Sequence, residues 1–348
     1  MPQLHRIFLF PLLFLCAFVI SGCATSGRLS EGEQQAIAGK TYVVTGASSG
    51  IGRGVAERLG QLHANVVLAA RRTGELENVA TIVNNAGGKS LVVTTDVADP
   101  AQVERLATET VTRFGRIDVW INNAGIGAVG PFATIPIADH SRLIDVNLKG
   151  VIYGSHVALR QFSRQRAGVL LNVGSIESEQ PMAYHASYSA SKAAVLSLGR
   201  ALNEELRLAK LAPAVTVATV LPWATDTPFF VHTANYSGGR PREPAMDDPS
   251  KAVNAIVWLS IHPQEELSVG WKAKMTYAGH RIAPDVNEHI TANMSQHWQV
   301  DTATPAPPTD GALFQPMAEG TGVGGGIRQR MEQEDAARKG TQQRAKDP

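Results

Sequence analysis

Cysteine is nearly absent. Only Cys16 and Cys23 occur in 348 residues, both near the N-terminus, so the body of the chain carries neither a disulfide framework nor a thiolate metal site. An excess of one charge is missing too. The 32 Lys and Arg stand against 31 Asp and Glu, and a net +1 gives no pull toward nucleic acid or anionic lipid. No apolar run reaches the roughly 20 residues that span a bilayer as a helix; Ile7 to Ile20 stops at 14. Internal repeats are lacking, and His140, His156, His185, His232 and His280 are scattered without the helical pairing of zinc enzymes. What remains, 44% hydrophobic residues in ordinary proportion, suffices for a core and excludes disorder throughout.

The 14-residue run follows a short segment whose one full positive charge besides the amino terminus is Arg6, and small residues close it. That is the build of a secretory signal. Ile20-Ser21-Gly22-Cys23 resembles the lipobox of bacterial lipoproteins, which implies cleavage before Cys23, lipidation of Cys23 and attachment to a membrane. Residues 1–22 then form the signal peptide and 23–39 a small, polar tether. The alternative is an uncleaved anchor or a misassigned start ahead of a cytoplasmic enzyme.

From Lys40 onward, short β-branched runs alternate with longer amphipathic ones. Thr41–Thr45, Asn65–Ala70, Leu91–Thr95, Val119–Asn122, Val169–Val173 and Val215–Leu221 read as strands, with Lys274–Tyr277 a weaker one. Ile51–Leu62, Ala101–Phe114, Asp139–Gln165, Ser187–Leu211 and Pro249–His262 read as helices. The alternation implies an α/β domain over 40–280 built on a doubly wound parallel sheet. After Tyr277 the period fades into a Pro-rich stretch at 302–311 and a Gly-rich one at 320–326, so 281–348 reads as an extended, partly disordered extension with a short charged helix near Arg328–Lys339.

Directly behind the first strand stands Thr45-Gly46-Ala47-Ser48-Ser49-Gly50-Ile51-Gly52, and a helix opens from its last residues. Glycines let the backbone turn tightly against a pyrophosphate, while the amides and dipole of the new helix face the anion. The spacing Gly-x-x-x-Gly-x-Gly resembles the short-chain dehydrogenase/reductase family. Asp96-Val97 after the third strand, Asn122-Asn123-Ala124-Gly125 after the fourth, Ser175, and Tyr188-Ser189-Ala190-Ser191-Lys192 agree with it, as does Asn147 in the long preceding helix. A second Asn-Asn-Ala-Gly, Asn84 to Gly87, precedes the third strand and reads as a helix-ending loop. The resemblance implies a single Rossmann-type domain, a three-layer αβα sandwich, acting in a homo-oligomer as a nicotinamide-dependent oxidoreductase on CH–OH groups.

Tyrosine and lysine four apart share a helix face, so the Lys192 ammonium can favour the Tyr188 phenolate and lower its pKa from about 10. By the resemblance, Tyr188 gives and takes the proton, Lys192 also grips the cofactor ribose, Ser175 polarises the substrate oxygen and Asn147 holds a water in a proton relay. A serine hydrolase is not supported, because Asn172-Val173-Gly174-Ser175-Ile176 is no nucleophile elbow. Where NAD-preferring folds carry an acid, this chain has Leu68-Ala69-Ala70-Arg71-Arg72, which favours NADP(H) through guanidinium contacts to a 2′-phosphate; the alternative for both arginines is a solvated loop. Ser48, Ser49, Gly50, Ile51, Asp96, Val97, Asn123, Ala124 and Gly125 complete the expected cofactor contacts, together with Pro222, Thr225 and Thr227 after the sixth strand.

Trp223 replaces the glycine that the family has after Pro222. With Phe229 and Phe230 it predicts an aromatic-lined pocket for an apolar ketone, aldehyde or secondary alcohol. Two other readings stay open. One is a non-catalytic NADP(H)-binding membrane-anchored sensor or scaffold, motivated by the scarcity of nicotinamide cofactor outside the cytoplasm; the other is an isomerase or lyase on the same fold.

Overall fold

The computed structural model describes residues 29–346. The apolar leader and Cys23 lie outside the described residues. A short helix α1 (Glu31–Ile37) leads into the sheet, capped by Ser30 and Glu33, each bonding the other's backbone N–H.

The β-branched runs become strands β1 (Thr41–Thr45), β2 (Asn65–Ala70), β3 (Lys89–Thr94), β4 (Val119–Asn122), β6 (Gly168–Val173) and β7 (Val215–Leu221), with two-residue strands β5 (Ala128–Val129) and β8 (Ala234–Asn235) forming a separate pair. With β9 (Glu266–Ser268) the main strands make one parallel seven-stranded sheet in the order β3-β2-β1-β4-β6-β7-β9. Successive strand residues point to opposite faces. Val44, Leu68, Ile121, Leu171 and Ala218 therefore pack on one side, while their neighbours Val43, Val67, Trp120, Leu170 and Val217 pack on the other. Helices α2 (Gly50–Gln61), α3 (Thr73–Asn85) and α9 (Pro249–Leu259) cover the first face; α4 (Pro100–Phe114), α6 (Gly150–Gln165) and α7 (Ala186–Leu208) cover the second. This is the Rossmann-type three-layer sandwich. Strand order reverses between β1 and β4, and the crevice at their carboxyl ends is the fold's natural ligand site.

Three stretches differ from expectation. Asp139–Gln165 is not one helix: α5 (Ile137–Ile144) passes through a π turn at Asp145–Lys149 before α6. Lys274–Tyr277 is helical, inside α10 (Gly270–Ile282), and the edge strand is β9, three residues with one buried side chain, Leu267. The segment after 280 is also not an extended appendage. α10 crosses that boundary, α11 (Pro284–Gln296) follows, residues 302–326 form a strap, and α12 (Ile327–Lys346) is the last described element; a four-residue helix, α8 (Phe229–His232), lies upstream, before α9. Long-range contacts order the strap: Thr309 exchanges backbone hydrogen bonds with Asn235, Arg240 N–H donates to the Thr304 carbonyl, and Leu313 is fully buried against the second core. The loop at Asn84–Gly87 ends α3 as expected, with Gly87 at φ +95°. Among the described residues no helix is long and apolar enough to cross a membrane.

Candidate active site

The turn after β1 shows why glycine stands there. Gly46 sits at φ +69°, and a Cβ on it would come within 2.9 Å of Ala124 Cα; one on Gly52 would sit 2.3 Å from the Gly46 carbonyl oxygen. Thr45 ties this turn to the loop after β4. Its Oγ1 accepts the amides of Asn123 and Ala124 at 3.0 and 3.1 Å, and Asn123 Nδ2 donates to the Thr45 carbonyl at 2.9 Å. α2 opens at Gly50, so its positive dipole end borders the cavity above the turn.

That cavity, of about 260 Å³, runs from the glycine turn to Ser175, Tyr188 and Phe229. It brings together every expected site residue among those described except Gly52 and Asn147, which stand behind it. A turn too tight for side chains, a helix opening and a cleft continuous with a tyrosine–lysine pair fit a dinucleotide lying along its length.

β6 delivers Ser175 to the N-cap of a one-turn 3₁₀ helix, where its Oγ accepts the Glu177 amide at 3.1 Å, and Ser175 and Tyr188 line the same cavity. One turn along α7 from Tyr188, Lys192 places Nζ 5.6 Å from the tyrosine ring centre and donates to the Val173 carbonyl at 2.8 Å. The expected lowering of the Tyr188 pKa is not what this geometry gives. Burial and then the Glu177 carboxylate push the phenol up, against the Ser175 bond, while burial holds Lys192 down at about 8. Asn147, fully buried in the π turn, accepts the Ile126 amide at 2.9 Å and donates to the Ile126 carbonyl and Ser191. A Cβ on Gly125 would meet Asn147 Oδ1 at 3.6 Å and Lys192 Nζ at 3.7 Å, so both side chains flank one backbone position.

At the other end, Arg71 donates to the carbonyls of Ala312, Leu313 and Phe314, all on the strap. Arg72 reaches Ser48 Oγ at 3.2 Å and the carbonyls of Met317 and Glu319. Gly50 N–H donates to Gly322 at 2.9 Å, and Asp96 is paired with Arg142 at 2.5 Å. On the substrate side, Phe229 lies 5.5 Å from Tyr188 and 5.6 Å from Phe230, ring centre to ring centre, and Trp223 Nε1 donates to the Ala245 carbonyl.

Sequence reasoning missed Glu177, Glu243 and the strap residues Ala312, Pro316 and Met317, all of which line the cavity, and left His185 without a role. Glu177 could have been flagged as an acid two positions from Ser175. Glu243 and the strap carry no local signal, because long-range folding alone brings them to the cleft.

A family model described as short chain dehydrogenase matches residues 40–235. The chain belongs to the short-chain dehydrogenase family. An uncharacterized oxidoreductase of Bacillus subtilis (strain 168), YxnA, is 29% identical to it over 278 residues, 79% of this chain and 78% of that protein. Among solved structures, the chain is similar to an alcohol dehydrogenase from the archaeon Thermococcus sibiricus complexed with 5-hydroxy-NADP, at 28% identity and a TM-score of 0.58 over 66% of this chain and 95% of that one. It is similar too to a short chain dehydrogenase/reductase from Burkholderia phymatum in complex with NAD, at 25% identity and a TM-score of 0.64 over 72% and 96%. This short-chain dehydrogenase is thus an enzyme of the oxidoreductase class, and the strap lies past the residues that the family model matches.

Proposed function

We propose that this short-chain dehydrogenase interconverts a carbonyl and an alcohol by hydride transfer, with Tyr188 as acid and base and NADP(H) preferred over NAD(H). The observation that carries the reading is Tyr188 with the Lys192 ammonium 5.6 Å from its ring centre, lining together with Ser175 the cleft that begins at the glycine turn. A bound nicotinamide supplies or accepts the hydride. Ser175 and Tyr188 hold the substrate oxygen between two hydroxyl groups. Burial keeps Tyr188 protonated at neutral pH, the state that gives a proton to a carbonyl oxygen as reduction proceeds. Lys192 and Asn147, flanking Gly125, offer the route by which that proton is replaced.

Support for NADP(H) is the absence of a carboxylate after β2 and the Arg72 guanidinium held beside Ser48 at the glycine turn. Phe229, Phe230 and Trp223 supply an apolar wall for the body of the substrate.

The test is nicotinamide oxidation by the enzyme over aliphatic, aromatic and steroid-like carbonyls, with Tyr188→Phe alongside. Turnover should fall by about 10²–10⁴-fold in the variant while cofactor affinity holds. Undiminished turnover in Tyr188→Phe, or cofactor returned unchanged after each cycle, would sink the reading. Tight cofactor binding without turnover of any carbonyl would instead favour a sensor.

A further inference from the structure

Beside the reacting tyrosine, the cavity wall turns polar. Glu177 is fully engaged: its carboxylate takes Ser189 Oγ at 2.6 Å and His185 Nδ1 at 3.0 Å. His185 spends its second nitrogen on Gln299 Nε2, at 3.0 Å. Glu243 differs. It is 5% exposed and lines the same cavity, yet among the described residues its carboxyl receives a single long hydrogen bond, 3.4 Å from Gln299 Nε2.

Gln299, the donor in that bond, adds to the same picture. Gln299 is 1% exposed and its Oε1 is buried without a partner among the described residues, while the residue borders a small void shared with His185, Tyr188, Phe229 and Phe230. A buried acceptor left without a donor is costly, and one that borders a void beside the reacting tyrosine is placed to take a donor from a ligand.

We propose that Glu243 and Gln299 form a substrate subsite for a hydrogen-bond donor, a hydroxyl or amine carried away from the reacting carbon. The substrate class is therefore a carbonyl compound, or its alcohol, with an apolar body and a second, donating polar group. This rests on the oxidoreductase reading above. Burial pushes the Glu243 carboxyl up to about 7, as expected of an acceptor short of donors.

The experiment uses the full chain with cofactor and a ladder of aryl alkyl ketones of increasing chain length, each as parent, ring-hydroxylated and ring-aminated compound. Wild-type enzyme should favour a donor-bearing member over its parent by about tenfold or more in kcat/KM, because a site built for a donor rejects the analogue lacking it. Glu243→Leu should bring that ratio close to one. Glu243→Gln, an isostere that keeps an acceptor and loses the charge, should retain more of the preference for hydroxyl than for amine. A wild-type ratio near one, or a ratio unchanged in Glu243→Leu, would overturn the subsite. Calorimetric binding of the same ladder to Tyr188→Phe with cofactor reads the ratio without hydride transfer, so failure of the oxidoreductase reading and failure of the subsite remain distinguishable.

Discussion

Lys192 shows how a catalytic residue is held at the expense of stability. It is 4% exposed and bonded to one carbonyl, and burial holds its ammonium down at about 8, well below the ordinary lysine value of about 10.4. Between those values the unfolded chain binds more protons, so stability rises with pH there; below about 8 the buried ammonium costs on the order of 3 kcal/mol. Lys192→Met should abolish turnover yet raise Tm at pH 7 by a few degrees, less the loss of the Val173 bond, with the gain shrinking toward pH 10. Melting curves at pH 7 and pH 10 check this, and a lower Tm at pH 7 refutes it. At this scale the sequence was highly legible, since Tyr188 and Lys192 four apart on one helix declare their proximity. The protonation state of Tyr188 was not, because burial and Glu177 outweigh an ammonium that lies over the ring and bonds Val173.

Elements were legible in proportion to their length and period. The six β-branched runs and the amphipathic α4 stood out, whereas β9 has a single buried side chain and no alternation to read. The strap was opaque for a stronger reason: its bonds are backbone carbonyls accepting from Arg71, Arg72 and Arg53, and carbonyls leave no mark in a sequence. This changes what the two neighbouring arginines should do. Arg71 gives three hydrogen bonds to the strap, while Arg72 also faces Ser48 on the glycine turn. Arg72→Ala should weaken NADPH by about tenfold or more and NADH little. Arg71→Ala should change both affinities by a similar factor and speed proteolysis within 302–326. Fluorescence titration with both cofactors, and timed digestion, decide it; an NADPH-specific loss in Arg71→Ala would assign the phosphate contact to Arg71 instead.

Across the whole molecule, the tail returns to clamp the segment that bears Glu243. Ile327 N–H donates to Asp226 Oδ1 at 2.7 Å, Ile327 and Met331 pack on Met246, and Arg242, fully buried, binds Asp335 at 2.6 Å, Glu334 at 3.2 Å and the Thr302 carbonyl. The polar sequence of α12 suggested only a charged helix, since its partners lie some 90 residues upstream. A buried guanidinium stripped of its carboxylates is expected to cost roughly 3–5 kcal/mol. Deleting residues 327–348 should therefore destabilise the enzyme by at least that much. In an Arg242→Met background, where no cation is left stranded, the same deletion should cost about 1–3 kcal/mol less. Denaturant unfolding of the four proteins measures the difference directly. Equal costs in both backgrounds would mean that α12 holds the segment that bears Glu243 through Ile327, Met331 and the Asp226 cap, and that the Arg242 ion pairs add nothing to the clamp.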